Sequence, residues 1–230
     1  MARRWREQGF SGLGLTSRGV STSGGETSRH GLVLDVVAAL AFLTAPSDMG
    51  GENLPPHAVA LLGHSLGGGV APEAAAFFPG VTVISDRSFS RLSDAACGLF
   101  LLAAPPRARD ALRFVIARLA CWELDAVRHW RALPAVTTKV AVFEAADEVI
   151  KGPAQLHSEL AGKGFAPAPP AAQPALGCVV MMESLRGSAH NRQWTDGEMA
   201  RVVRVLDAAM RAPAVGSAGE LWKIGVPERA

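Results

Sequence analysis

Ser65 stands in G-H-S-L-G, just after the apolar run Val59–Leu62 and just before a glycine- and alanine-rich stretch. A serine hydroxyl becomes a useful nucleophile when a base takes its proton and a third group orients that base. Two candidates for those roles follow at equivalent places. Asp147 comes after the apolar segment K-V-A-V-F-E-A, and His190 after C-V-V-M-M-E-S. Serine, then acid, then histidine, each beyond the end of an expected strand, is the chain order of a nucleophile elbow on a parallel sheet. The chemistry would be acyl transfer through a covalent acyl-enzyme. The serine pattern alone is weak, because composition supplies about 0.16 matches to it by chance. Three placements at strand ends weigh far more.

The turn itself adds a steric argument. A serine on so tight a strand-to-helix turn sits in strained backbone space. Gly63 and Gly67 supply small neighbours two residues either side. The N–H of Leu66, at the start of the following helix, would face a developing oxyanion. Glycine turns that bind phosphate fit less well: no lysine follows as in G-x-x-x-x-G-K-[ST], and G-x-G-x-x-G is absent here. Asp86, after the strand V-T-V-I-S, is the alternative acid, one strand closer to Ser65. Glu144 lies inside its strand pattern, and Glu148 reads as a solvated neighbour of Asp147. His64 is expected to point away from the serine as a wall or packing residue. His30, His57, His129 and His157 have no strand end nearby and read as surface residues.

These residues need a scaffold, and the hydrophobic periodicity supplies one. Apolar residues at Leu32, Val33, Val36, Val37, Leu40 and Leu43 have helical spacing, with Ser28 as N-cap. H-A-V-A-L-L-G, V-T-V-I-S, K-V-A-V-F-E-A and C-V-V-M-M-E-S read as buried strands. L-G-G-G-V-A-P-E-A-A-A-F-F, P-A-Q-L-H-S-E-L-A-G-K-G and D-G-E-M-A-R-V-V-R-V-L-D-A-A-M read as helices, the last capped by Thr195 or Asp196. Pro72 is an oddity inside the first of these. Strands alternating with helices give an α/β class: a mostly parallel sheet with helices on both faces. Residues 18–87 and 137–212 form the expected core, and 88–136 a helical insert over the ligand-binding edge of the sheet. Residues 1–17 read as an N-terminal arm and 213–230 as a tail.

Composition bounds the function classes. The chain has 230 residues, 49% hydrophobic, with a formal net charge of +2. That charge is too small for a nucleic-acid field. Three dispersed cysteines show no metal-ligand spacing and fit a reducing, cytoplasmic setting. No run approaches the ~18 apolar residues of a membrane span. The first thirty residues, rich in Arg and Ser, are weakly like an organelle transit peptide, so organelle targeting stays open.

The segments R-G-V-S-T-S-G-G, L-L-G-H-S-L-G-G-G-V-A, I-S-D-R-S-F-S-R-L-S-D-A-A, A-A-D-E-V-I and G-S-A-H-N-R-Q-W together resemble the α/β-hydrolase superfamily, from about Arg18 to Met210. The nearest branch is the chlamydial hydrolase-like and serine-aminopeptidase-like one. The resemblance implies Ser65 as nucleophile, His190 as base and Asp147 as acid. It also implies a cap after Asp86. The acyl-enzyme chemistry takes a small-molecule or acyl substrate and needs no metal or organic cofactor. Two departures stand out. Ser21 occupies the place of a family glycine, and no His-Gly loop lies upstream of R-G-V. That loop follows a strand expected between the R-G-V strand and the elbow strand. Either Gly9 to Leu15 moves in beside the elbow strand, or the chain is an incomplete version of a longer protein. The apolar insert points weakly to an apolar acyl group. The alternative reading is a degenerate hydrolase-fold chain that binds without catalysis. Substrate identity and oligomeric state are not legible in the sequence.

Overall fold

The computed structural model describes residues 2–100, 104–119, 121–144, 146–161, 179–183 and 190–211. Four parallel strands, β1 (Ala60–His64), β2 (Thr82–Asp86), β3 (Lys139–Phe143) and β4 (Val179–Glu183), form a sheet in the order β1-β2-β3-β4. β3 and β4 fall within expected runs, and β1 and β2 each extend one residue beyond theirs, to His64 and Asp86. Their C-terminal ends are level, since His64 pairs with Asp86, Asp86 with Val142 and Phe143 with Glu183. Ser65, Asp86, Asp147 and His190 therefore emerge at or beyond one edge of the sheet. The expected tail 213–230 and the loop 165–176 lie outside the described residues.

Among the described residues eight α-helices accompany the strands: α1 (Ala2–Glu7), α2 (Arg29–Thr44), α3 (Leu66–Ala75), α4 (Leu92–Phe100), α5 (Pro106–Phe114), α6 (Ala126–Ala132), α7 (Leu156–Ala161) and α8 (Asp196–Arg211). Ser28 caps α2 by accepting the Gly31 N–H at 3.0 Å. Thr195 is the cap of α8: its hydroxyl accepts the Glu198 N–H, and the Glu198 carboxylate accepts the Thr195 N–H. That reciprocal pair satisfies two donors that the first turn leaves free.

The two-residue period of the strands sorts the core. Val83 and Ala141 face α3, α6 and α7, in a cluster with Ala71, Trp130 and Leu160. Ile84, Val140 and Val142 face α8, where Trp194, Val202 and Leu206 complete the layer. Trp5 and Phe10 from the N-terminal arm pack on this second layer, and Arg4 bonds to the Trp194 carbonyl. The segment 88–136 is not uniform. Its last helix, α6, lies in the core layer with Trp130 fully buried. In contrast, α5 and the π turn Val115–Leu119 that follows it bury no residue.

Two expectations are corrected. The R-G-V segment is a turn, not a strand, and Gly9 to Leu15 do not pair with β1. Val59 and Ser65 bond toward β2, so the backbones of Ala60, Leu62 and His64 face the other way. Among the described residues nothing pairs with that edge. The consequence is visible in burial: β2 is wholly buried, whereas β1 is mostly half-exposed. Ser21 adopts the left-handed backbone (φ 53°) that glycine tolerates best.

Pro72 sits inside α3 without ending it. A helix residue at 72 would donate its N–H to the Gly68 carbonyl, and proline cannot. The Ser85 hydroxyl on β2 donates to that carbonyl instead, at 3.0 Å. The strand thus supplies the bond that the helix lacks.

His157, expected on the surface, stacks on Phe143 with ring centroids 3.7 Å apart, and its Nδ1 is buried without a partner. Burial pushes its pKa down to about 4. The unfolded chain takes up this proton near pH 6.5 and the folded one only near 4. Stability therefore falls as pH drops through that window. The melting temperature should be lower at pH 5 than at pH 7.5, and His157→Gln should flatten the difference. An unchanged slope in the variant would contradict this assignment.

Candidate active site

The β1–α3 turn places Ser65 in a backbone conformation (φ 51°, ψ −113°) that side chains rarely adopt. The strain is held by bonds on both sides of the residue. The Ser65 N–H donates to the Asp86 carbonyl at 3.0 Å, and its carbonyl accepts from the Ser88 hydroxyl at 2.9 Å. A Cβ at Gly63 would lie 2.2 Å from the Gly67 carbonyl oxygen, so the strand and helix approach closely only because that residue is glycine. Space makes no such demand at Gly67, where a Cβ would meet nothing within 4 Å. Gly67 is exposed on the first turn of α3. Leu66 follows the serine, 39% exposed, and its N–H has no acceptor among the described residues.

Asp147 and His190 meet beyond the ends of β3 and β4. His190 Nδ1 lies 2.7 Å from Asp147 Oδ2, and both residues are buried. The other carboxylate oxygen of Asp147 accepts the N–H groups of Val149 and Ile150, each at 2.8 Å. Those two bonds fix the rotation of the carboxylate. Glu148, read from the sequence as a solvated neighbour, instead accepts the His190 backbone N–H at 2.8 Å. His190 Nε2 is buried and has no hydrogen-bond partner among the described residues. The structure thus brings Asp147 and His190 into contact, and Ser65 emerges at the tip of β1 on the same sheet edge, with β2 between β1 and β3 and no hydrogen bond joining its hydroxyl to His190.

Asp86 is engaged elsewhere. It is 1% exposed and bonds to Arg87 at 3.0 and 2.8 Å and to His64 Nδ1 at 3.1 Å. Burial by itself would raise its carboxyl pKa. The hydrogen bonds from His64 and Arg87 and the Arg87 charge outweigh that and hold it below the usual carboxylate range. His64 does not stand apart as a wall residue: it pairs with Asp86 and reaches Asn191. The register could have flagged this, because residues opposite each other on parallel strands share a face. Glu144 is buried near Arg192, at 3.7 Å.

Two cavities lie along the surface. One of about 340 Å³ is lined by Leu13, Leu15, Arg18, Asp35 and Phe42, and one of about 520 Å³ by Arg91, Asp94, Arg113, Phe114 and Glu159. Neither is lined by Ser65, Asp147 or His190. No cluster of three metal-ligating side chains occurs among the described residues. No helix among them is long and apolar enough to cross a membrane.

The fold is similar to that of solved proteins. A crystal structure of an alpha-beta hydrolase from Vibrio vulnificus superposes with a TM-score of 0.59 over 83% of this chain, at 18% sequence identity. The chain spans 61% of the length of that protein. No protein-family model and no curated protein matches the chain. The likeness at this identity concerns the fold alone.

Proposed function

From the α/β-hydrolase fold as premise, we propose that this chain is a serine hydrolase acting on an ester, thioester or amide through an acyl-enzyme. The observation that carries the reading is the buried Asp147–His190 pair on the sheet edge where Ser65, held at φ 51°, also emerges, with the ring of His64, which precedes the serine, 4.9 Å from that of His190. A strained serine and an oriented imidazole have little structural purpose at one sheet edge, and both are needed for nucleophilic catalysis.

The chemistry follows from the residues. His190 Nε2 takes the Ser65 proton as Oγ attacks the substrate carbonyl. Asp147 keeps the remaining proton on Nδ1 and stabilises the imidazolium. The Leu66 N–H donates to the oxyanion. His190 then protonates the leaving group, and water repeats the sequence in reverse to release the acid. Catalytic hydrogen bonds often tighten only when substrate binds, and the Ser65–His190 bond is expected to form in that complex. An apolar acyl group fits the exposed Leu66 and the exposed Leu99, Phe100 and Phe114 of α4 and α5, which we assign to a cap.

A fluorophosphonate probe tests the proposal. Folded protein should be labelled, and Ser65→Ala should abolish labelling and lower ester hydrolysis by at least about 10⁴-fold. Folded wild-type protein that takes no label would leave a hydrolase fold without hydrolase chemistry.

A further inference from the structure

His64 adjoins both residues read as reactive. It precedes Ser65 at the tip of β1, and its ring centroid lies 4.9 Å from that of His190, tilted by 42°. Its Nδ1 lies 3.1 Å from Asp86 and its Nε2 3.3 Å from the side-chain oxygen of Asn191. Asp86 sits opposite His64 in the β1–β2 register and is braced by Arg87. A chain of hydrogen bonds therefore runs from Arg87 through Asp86 and His64 to the residue that follows the base.

We infer that His64 is a positioning residue that ties the base to the nucleophile's strand and so sets the approach of His190 Nε2 to the Ser65 hydroxyl. The inference rests on the reading of Ser65 and His190 as nucleophile and base. The other two anchors of His190 come from the loop after β3: Asp147 fixes the ring and Glu148 the backbone N–H. Neither refers the base to β1. The contact from His64 to Asn191 does.

The link does not depend on one protonation state of His64. An imidazolium donates from both ring nitrogens, to the Asp86 carboxylate and to the Asn191 oxygen. A neutral ring that keeps its proton on Nδ1 accepts at Nε2, and a flipped Asn191 amide donates there. An amide is one of the few side-chain groups able to serve both.

The experiment compares His64→Ala, Asn191→Ala and the double variant, with His30→Ala on the exposed start of α2 as control. Asn191 is exposed and does not touch Asp86, so its variant tests the link without disturbing the buried carboxylate. Each single variant should lower both the fluorophosphonate labelling rate and kcat for a p-nitrophenyl ester roughly 10- to 100-fold, with KM unchanged. Asn191→Ala should melt within about 3 °C of wild type. The double variant should be no slower than the worse single one, because both remove one link. A second readout is the low-field proton resonance of the His190 Nδ1–H bonded to Asp147, sharp in wild type and broadened in both variants. Wild-type labelling by Asn191→Ala, or losses that multiply in the double variant, would overturn the inference. Unlabelled wild-type protein would refute the reading of Ser65 instead. The resonance then decides: unchanged in both variants, it rules out any hold of His64 on His190.

Discussion

Asp147→Asn should lower kcat for a p-nitrophenyl ester by about 10⁴-fold while leaving KM and the melting temperature close to wild type. The geometry explains why so small a change costs so much. Oδ1 of Asp147 accepts two backbone N–H groups, from Val149 and Ile150. An asparagine keeps its oxygen on those donors, since its amide nitrogen cannot accept from them. Its NH₂ group must then face His190 Nδ1, 2.7 Å away in the parent. That nitrogen becomes the acceptor, so the ring proton moves to Nε2, the atom that should take the proton of Ser65. The base is disabled by its tautomer, with the fold intact. Asp86→Asn provides the contrast. It can still accept from His64, and the loss of kcat should be no more than about 10-fold. The reverse ranking of the two variants would move the acid to Asp86 and refute the assignment of Asp147.

Arg87→Met should be the most damaging single change to stability, at about 3–5 kcal/mol. Arg87 and Asp86 both have side chains 1% exposed and bond to each other. Methionine fills much of the same volume but leaves the Asp86 carboxylate buried without its counter-charge, a state that proteins tolerate poorly. The pH dependence has a definite sign. In the parent, Asp86 is held below the usual carboxylate range, so its contribution is present above about pH 3.9 and lost as pH falls through its lower folded value. In Arg87→Met the folded carboxyl rises above that range. The penalty is then full at neutral pH and shrinks on acidification, as the group becomes neutral. Chemical denaturation at pH 7.5 and pH 5 reads this directly. A stability difference that stays constant or grows at pH 5 would show that the pair is not what holds this turn.

These two carboxylates show how far the sequence reaches. Each follows a β-branched or apolar run that could only be a buried strand, so both were legible as strand-end acids. The linear order favours Asp147 and leaves Asp86 as the alternative, and it does not record which of them meets His190. The choice depends on which neighbour each meets: Asp86 meets Arg87 and His64, and Asp147 meets the backbone of its own turn and His190. Glu148 was missed for the same reason, because its partner is the backbone N–H of a residue 42 positions away. Pro72 looked like a fault in α3 because the Ser85 hydroxyl that serves its carbonyl lies on another strand. One edge of β1 has no partner among the described residues, and the sequence left open whether Gly9 to Leu15 would fill it. Those residues have three glycines, Gly9, Gly12 and Gly14, and exposed Leu13 and Leu15, and nothing local favours a strand.

By itself the sequence determined the period of each element, and through it the α/β class, the four strands and the turn that strains Ser65. Those depend on local spacing: alternation over a few residues, helical repeats, and a glycine that lets strand and helix touch. Only the tertiary structure decided which acid faces His190, that His64 joins Asp86 to Asn191, and that β1 has an unpaired edge among the described residues. Hydrogen bonds and ion pairs are short and directional, so partners far apart in the chain are fixed by register and packing, which no local pattern records.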